Sequence, residues 1–110
     1  MKLLIAGSRS IEQFDLSKYI TPDVDTILSG GAKGIDTLAE EYADRHKLSK
    51  IILRPRYDRF GKAAPLRRNE ELVQLADRVL IIWDGHSKGT EYTARYAEDH
   101  QKAVEVILAK

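Results

Sequence analysis

Five short runs, apolar along most of their length, punctuate the chain: residues 2–6 (KLLIA), 24–29 (VDTILS), 50–54 (KIILR), 78–83 (RVLIIW) and 104–108 (VEVIL). Each is about as long as a strand buried on both faces. Between them lie segments with helical spacing. Residues 34–48 carry Ile35, Leu38, Ala39, Tyr42, Ala43 and His46 on one face, and residues 65–77 carry Leu66, Leu72, Val73, Leu75 and Ala76. Pro65 stands where the first turn of a helix tolerates proline. Residues 89–102 form a further helix. Residues 10–20, weakly amphipathic and closed by Thr21-Pro22, take the first helical place in the alternation, and 55–63 read as a basic loop.

Apolar strands separated by helices require crossovers between parallel neighbours, and right-handed crossovers place helices on both faces. The expected fold class is therefore α/β, a three-layer Rossmann-like sandwich with a mainly parallel sheet of about five strands. The common strand order for this pattern is 3-2-1-4-5. With 110 residues and neither linker nor repeat, 1–110 is expected to be one domain.

Composition removes whole classes of chemistry. The chain has no cysteine, which excludes disulfide frameworks, thiolate nucleophiles and iron–sulfur ligation, and its three scattered histidines do not suggest a metal site. No metal and no cofactor are expected. No apolar run approaches the ~20 residues of a membrane span, so no membrane partner is expected. The opening MKLLIAGSRS reads as a first strand rather than a signal peptide. The expected location is the cytoplasm. A net charge of +1 does not suit a protein that coats nucleic acid by bulk charge.

The distribution of that charge changes the picture. Four segments follow the first four strands: GSRS (7–10), SGGAKGID (29–36), RPRYDRFGKAAPLRRN (54–69) and DGHSKGTE (84–91). Ligands of open parallel sheets bind beyond these carboxyl ends. Every glycine of the chain lies in them. They hold nine basic residues against four acidic ones, a local balance of +5, while the remainder stands at −4. A basic rim with helix N-termini is a site for anions, phosphate foremost.

Candidate ligand-binding residues follow from this rim. Gly7, Ser8 and Arg9 end the first strand. Ser29, Gly30, Gly31, Ala32, Lys33 and Gly34 form the second turn. Asp84 follows the fourth strand, and Ser87, Lys88, Gly89 and Thr90 open the last helix. SGGAKGID is neither a Walker loop nor GxGxxG, which disfavours an ATPase and an ordinary nicotinamide dehydrogenase. Asp36 has two open roles, capping its helix or binding a ribose hydroxyl. Tyr57 and Phe60, interleaved with Arg56 and Arg59, either stack a base or fold back onto the core.

These motifs resemble the SLOG superfamily of Rossmann-like nucleotide-ligand domains, which includes the DprA and LOG families. The fit is nearest to a small YspA/YpsA-related family of unknown function. SGGAKGIDTLAEEYA (29–43) is similar to the DprA signature around Gly-Ile-Asp. PLRRNEELVQLADRVLIIW (65–83) resembles its Pro-x-Arg-Arg-Asn stretch, and SKGTEYTARYA (87–97) the region that follows in both families. The resemblance adds Arg68 and Asn69 to the binding residues. LOG enzymes carry PGGxGTxxE with a catalytic final Glu. Here Gly89-Thr90 match the GT pair, Gly85-His86-Ser87 stand at Pro-Gly-Gly, and Thr93 stands at the catalytic Glu. Glu91 falls two residues early, about 200° away around a helix.

The expected function is binding of a nucleotide or nucleotide-derived phosphate ligand at the sheet's carboxyl edge, as sensor or regulator. One alternative is a LOG-like nucleoside monophosphate N-glycosidase, in which Glu91 or Asp36 would supply the catalytic carboxylate. Another is DprA-like binding of single-stranded nucleic acid. The resemblance also implies a homodimer as an assembly to test.

Overall fold

The computed structural model describes residues 1–109. Strands β1 (Lys2–Gly7), β2 (Thr26–Ser29), β3 (Ser49–Ile52), β4 (Arg78–Trp83) and β5 (Ala103–Leu108) pair in the order β3-β2-β1-β4-β5. Every neighbouring pair is parallel. The fold is thus Rossmann-like α/β, with the expected strand order.

The two central strands explain why their runs lack polar alternation. Along β1, Leu3 and Ile5 enter one core and Leu4 the other; along β4, Leu80 and Ile82 enter the first and Val79 and Ile81 the second. All seven are fully buried. Register sets Leu4 beside Val79 and Ile5 beside Leu80. Truncating one of these large side chains to alanine would cost roughly 2–5 kcal/mol.

Helix α1 (Ile35–Arg45) packs on the first face through Ile35, Ala39 and Ala43. On the second face lie α3 (Ala64–Leu75) and α4 (Lys88–Asp99), which contribute Leu72, Val73, Ala94 and Ala97. Pro65 occupies the first turn of α3, as expected. Lys47 and Gln101 adopt left-handed backbone just beyond the ends of α1 and α4, the turn that commonly stops a helix.

Two segments differ from expectation. Residues 10–20 form no α-helix; only Leu16–Lys18 make a 3-10 turn. Asp15 caps that turn, its carboxylate accepting from the Ser17 amide at 3.0 Å, so helical geometry starts only there. Ile11, Phe14, Tyr19 and Ile20 still pack on the core, so the apolar residues anchor an irregular crossover. Within 55–63, read as a loop, a short helix α2 (Tyr57–Phe60) is followed by a 3-10 turn, Gly61–Ala63. Among the described residues, no helix is long and apolar enough to cross a membrane.

Candidate functional site

The chain leaves β1 towards β2 on one side of the sheet and leaves β4 towards β5 on the other. The carboxyl ends of β1 and β4 therefore flank the topological switch point, where open α/β sheets form their ligand crevices. A cleft of about 360 Å³ opens there. Its volume sits at the low end of small-molecule sites, roughly 300–1,000 Å³.

Ten predicted residues line this cleft. Gly7 and Arg9 come from the turn after β1, and Ala32 and Asp36 from the turn and helix after β2. Arg68 and Asn69 come from α3, while Asp84, Ser87, Gly89 and Thr90 come from the turn after β4 and the start of α4. Gly30, Gly31 and Lys33 line an adjoining compartment of about 280 Å³ that shares Arg9, Ala32 and Arg68 with the cleft. The others stand behind the walls or beside them. The buried hydroxyl of Ser8 accepts from the Asp84 amide at 3.0 Å, and the buried hydroxyl of Ser29 donates to Glu40 at 2.7 Å and accepts from the Gly31 amide at 3.2 Å. Gly34 is the N-cap of α1. Lys88 is exposed and lines neither space. Glu91 also stands outside both; it pairs with Arg95 at 3.7 Å and faces a separate groove with Trp83 and Val106.

Other cleft residues escaped the sequence reading. Ser10, Leu66 and Thr93 line it as well. Ser10 lay within a rim segment that was already suspect. Leu66 carried only a core-like helical spacing, and its exposure of 37% shows it turned out of the core.

The ionisable groups are unequal. Arg68 is only 8% exposed. Its Nη1 donates to the carbonyls of Gly30 and Leu53, and its Nε donates to Asn69 Oδ1 at 2.7 Å. Nη2 has no acceptor among the described residues, and no ion pair joins Arg68 to any described carboxylate. Burial lowers its pKa and the nearby charge of Asp36 opposes that shift; the group remains a cation in any ordinary buffer. Asp36 is 7% exposed. Burial raises its pKa, against the Ala32 amide, which donates to it at 3.1 Å, and against the charge of Arg68. Its bond to Ala32 closes the turn before α1, and it accepts from none of the helix's own first amides.

Asp84 is the opposite case. Its Oδ1 accepts from the amides of His86 at 2.8 Å and Ser87 at 2.9 Å, and its Oδ2 accepts from the Ser10 hydroxyl at 2.7 Å. These bonds hold its carboxyl far below the usual range. The cleft thus sets two cations, Arg9 and Arg68, against two carboxylates, Asp36 and Asp84. The excess positive charge of the rim lies beside the cleft rather than in it. Among the described residues no three His, Asp or Glu side chains gather as metal ligands would.

No protein-family model, curated protein or solved structure matches the chain. Fold and cleft define the class to which it belongs, a Rossmann-like all-parallel α/β domain.

Proposed function

We propose that the chain binds a nucleotide, or a nucleotide-derived molecule carrying phosphate, in the switch-point cleft and its adjoining compartment, and acts as a sensor or regulator. One observation carries the reading: Arg68 is a nearly buried cation in the wall of both spaces, and Asp36, the carboxylate whose charge acts on it, makes no direct ion pair with it. A largely desolvated cation whose counter-charge stands off without contact is costly. A phosphate docking there would give it a direct anionic partner through charge-assisted hydrogen bonds. Asp36 and Asp84 in the same cleft suit the hydroxyl and amino donors of a sugar and base.

The gathering of Arg68, Asn69, Gly89 and Thr90 around one cleft also supports reading the chain as a SLOG-like domain of the YspA/YpsA-related kind. N-glycosidic hydrolysis has one observation in its favour, the buried carboxylate of Asp36 in the cleft. It would show as free base released from a nucleoside monophosphate and lost in Asp36→Asn.

Thermal unfolding with a panel of nucleoside mono-, di- and triphosphates and dinucleotides tests the main reading. A binder raises Tm in proportion to RT ln(1 + [L]/Kd). Arg68→Lys, which keeps the charge and loses the planar fork, should weaken binding by about tenfold or more. The absence of a shift with every member of the panel overturns the proposal. Salt-sensitive binding of oligonucleotides alone would transfer it to single-stranded nucleic acid.

A further inference from the structure

Away from the cleft, the two edges of the sheet are built differently. In a parallel ladder, alternate residues of a strand bond to one neighbour and the rest face the other way. On β3 the amides of Ser49 and Leu53 donate inward, to Asp25 and Ser29. That leaves only Lys50 and Ile52 turned outward, and Lys50 pairs with Asp44 at 2.8 Å. A short strand with a lysine is a protected edge. On β5 the following Ala109 amide donates to the Trp83 carbonyl at 2.8 Å, so Ala103, Glu105 and Ile107 bond towards β4. Val104, Val106 and Leu108 turn their N–H and C=O groups to the open side, where the described residues supply no further strand. None of the three carries a charge.

The side chains of the same three residues share the α4 face. Val104 packs on the second core, while Val106 is 45% and Leu108 57% exposed. Val106 also belongs to a groove of about 170 Å³ between the sheet and α4, with Ile81, Trp83 and Ala94. The edge is complementary to itself. Two copies of β5 laid antiparallel about Val106 set Val106 against the partner's Val106 and Val104 against the partner's Leu108. All three outward residues then fall in pairs that exchange both backbone bonds. On the other face Glu105 meets the partner's Ile107. Moving the centre to Glu105 sets two carboxylates directly opposite, which is unfavourable. The groove is also lined by Arg95 with Glu91 and Glu98. Charges of both signs are what a surface needs to meet its own copy.

We propose that a second copy of this chain adds to the outer side of β5, antiparallel and centred on Val106, so that the two five-stranded sheets run on as one across a two-fold axis. The axis is perpendicular to the sheet, so both α4 helices stand on the same face and flank the seam. The strands of the two halves point in opposite directions. The two clefts, set at β1 and β4, therefore open at opposite ends and stay clear of the seam. The pairing is independent of what the cleft binds.

Sedimentation velocity of the intact chain from about 1 μM to about 1 mM should show a monomer–dimer equilibrium. Val106→Lys sets two like charges together at the axis and should weaken the dimer about a hundredfold or more. Cross-linking reads the register, and the chain has no cysteine of its own to confuse it. Residues of a bonded antiparallel pair lie about 5.5 Å apart at Cα, within the roughly 4.4–6.8 Å that a disulfide spans. Val106→Cys should therefore oxidise to a covalent dimer, while Glu105→Cys and Leu108→Cys should not. A chain that stays monomeric throughout overturns the proposal, even if an extended peptide seats on the edge. So does a dimer that survives Val106→Lys, or one that cross-links through Glu105→Cys and not through Val106→Cys. If Val106→Lys fails to fold, the cysteine variants decide alone.

Discussion

Asn69 donates from Nδ2 to the Thr93 hydroxyl at 2.8 Å, and that hydroxyl donates in turn to the Gly89 carbonyl at 2.9 Å. The pair ties α3 to α4 in the cleft wall. Thr93 is 1% exposed, and it is the residue that the resemblance to LOG enzymes sets against their catalytic Glu. Its hydroxyl is fully used in structure. Thr93→Val keeps the shape and strands the Asn69 amide, so stability should fall by about 1–3 kcal/mol, read from the midpoint of urea unfolding. Thr93→Glu should cost more, because it buries a larger and charged group. A valine variant as stable as the parent would show that the Asn69 bond contributes nothing.

Asp84 should shape the acid limb of the stability curve. Its folded pKa is depressed below the ordinary 3.8 by the His86 amide, the Ser10 hydroxyl and the Ser87 amide. A depressed carboxyl contributes stability that is complete above the unfolded value and is lost as pH falls through the folded one. Wild type should therefore lose stability below about pH 4, and Asp84→Asn should lose less over the same range. Denaturation midpoints between pH 6 and the lowest tolerated pH would show two converging curves. Parallel curves would contradict the assignment.

Asp36 should act with the opposite sign. Burial raises its pKa above 3.8, so the folded state holds its proton more tightly than the unfolded state. The cost of ionising it in the fold accumulates as pH rises from the unfolded value through the folded one. Asp36→Asn retains an acceptor for the Ala32 amide and removes the charge. Its stability relative to wild type should improve as pH rises above about 4. A difference that does not change with pH would refute the burial effect.

Gly34 holds the start of α1 against the loop after β1. Its φ is +77°, and a β-carbon there would come within 2.6 Å of the carbonyl oxygens of both Ser8 and Arg9. Gly34→Ala should cost about 2 kcal/mol or more. Gly89→Ala is the control, since its added carbon meets nothing within 4 Å and alanine favours the helix by roughly 0.5–1 kcal/mol. Equal effects in the two variants would remove the argument from close approach.

The fold was legible where burial leaves one solution. The runs of β1 and β4 read as strands covered on both faces because every residue from Leu3 to Ile5 and from Val79 to Ile82 is fully buried. The site was legible only as a rim. Arg67 and Arg68 are neighbours with identical side chains, about 100° apart around the helix. Arg67 pairs in solvent with Glu70 at 2.8 Å, whereas Arg68 is buried between two spaces. Only the rotation of α3 on the sheet separates them, and periodicity does not resolve that angle for adjacent charges. Counting charge along the rim likewise missed its division, because Asp84 acts on the amides of its own turn and Asp36 is folded inward.

The Ser10–Asp84 bond joins residues 74 positions apart, and the whole cleft depends on the same long-range closure between β1 and β4. No hairpin can form it early, since parallel neighbours must wait for their crossovers. Late, non-local closure of this kind slows folding. Binding competence should therefore appear only with the last cooperative step of refolding. A ligand bridging α1, α3 and α4 would act as a clasp on that step, slowing unfolding more than it speeds folding.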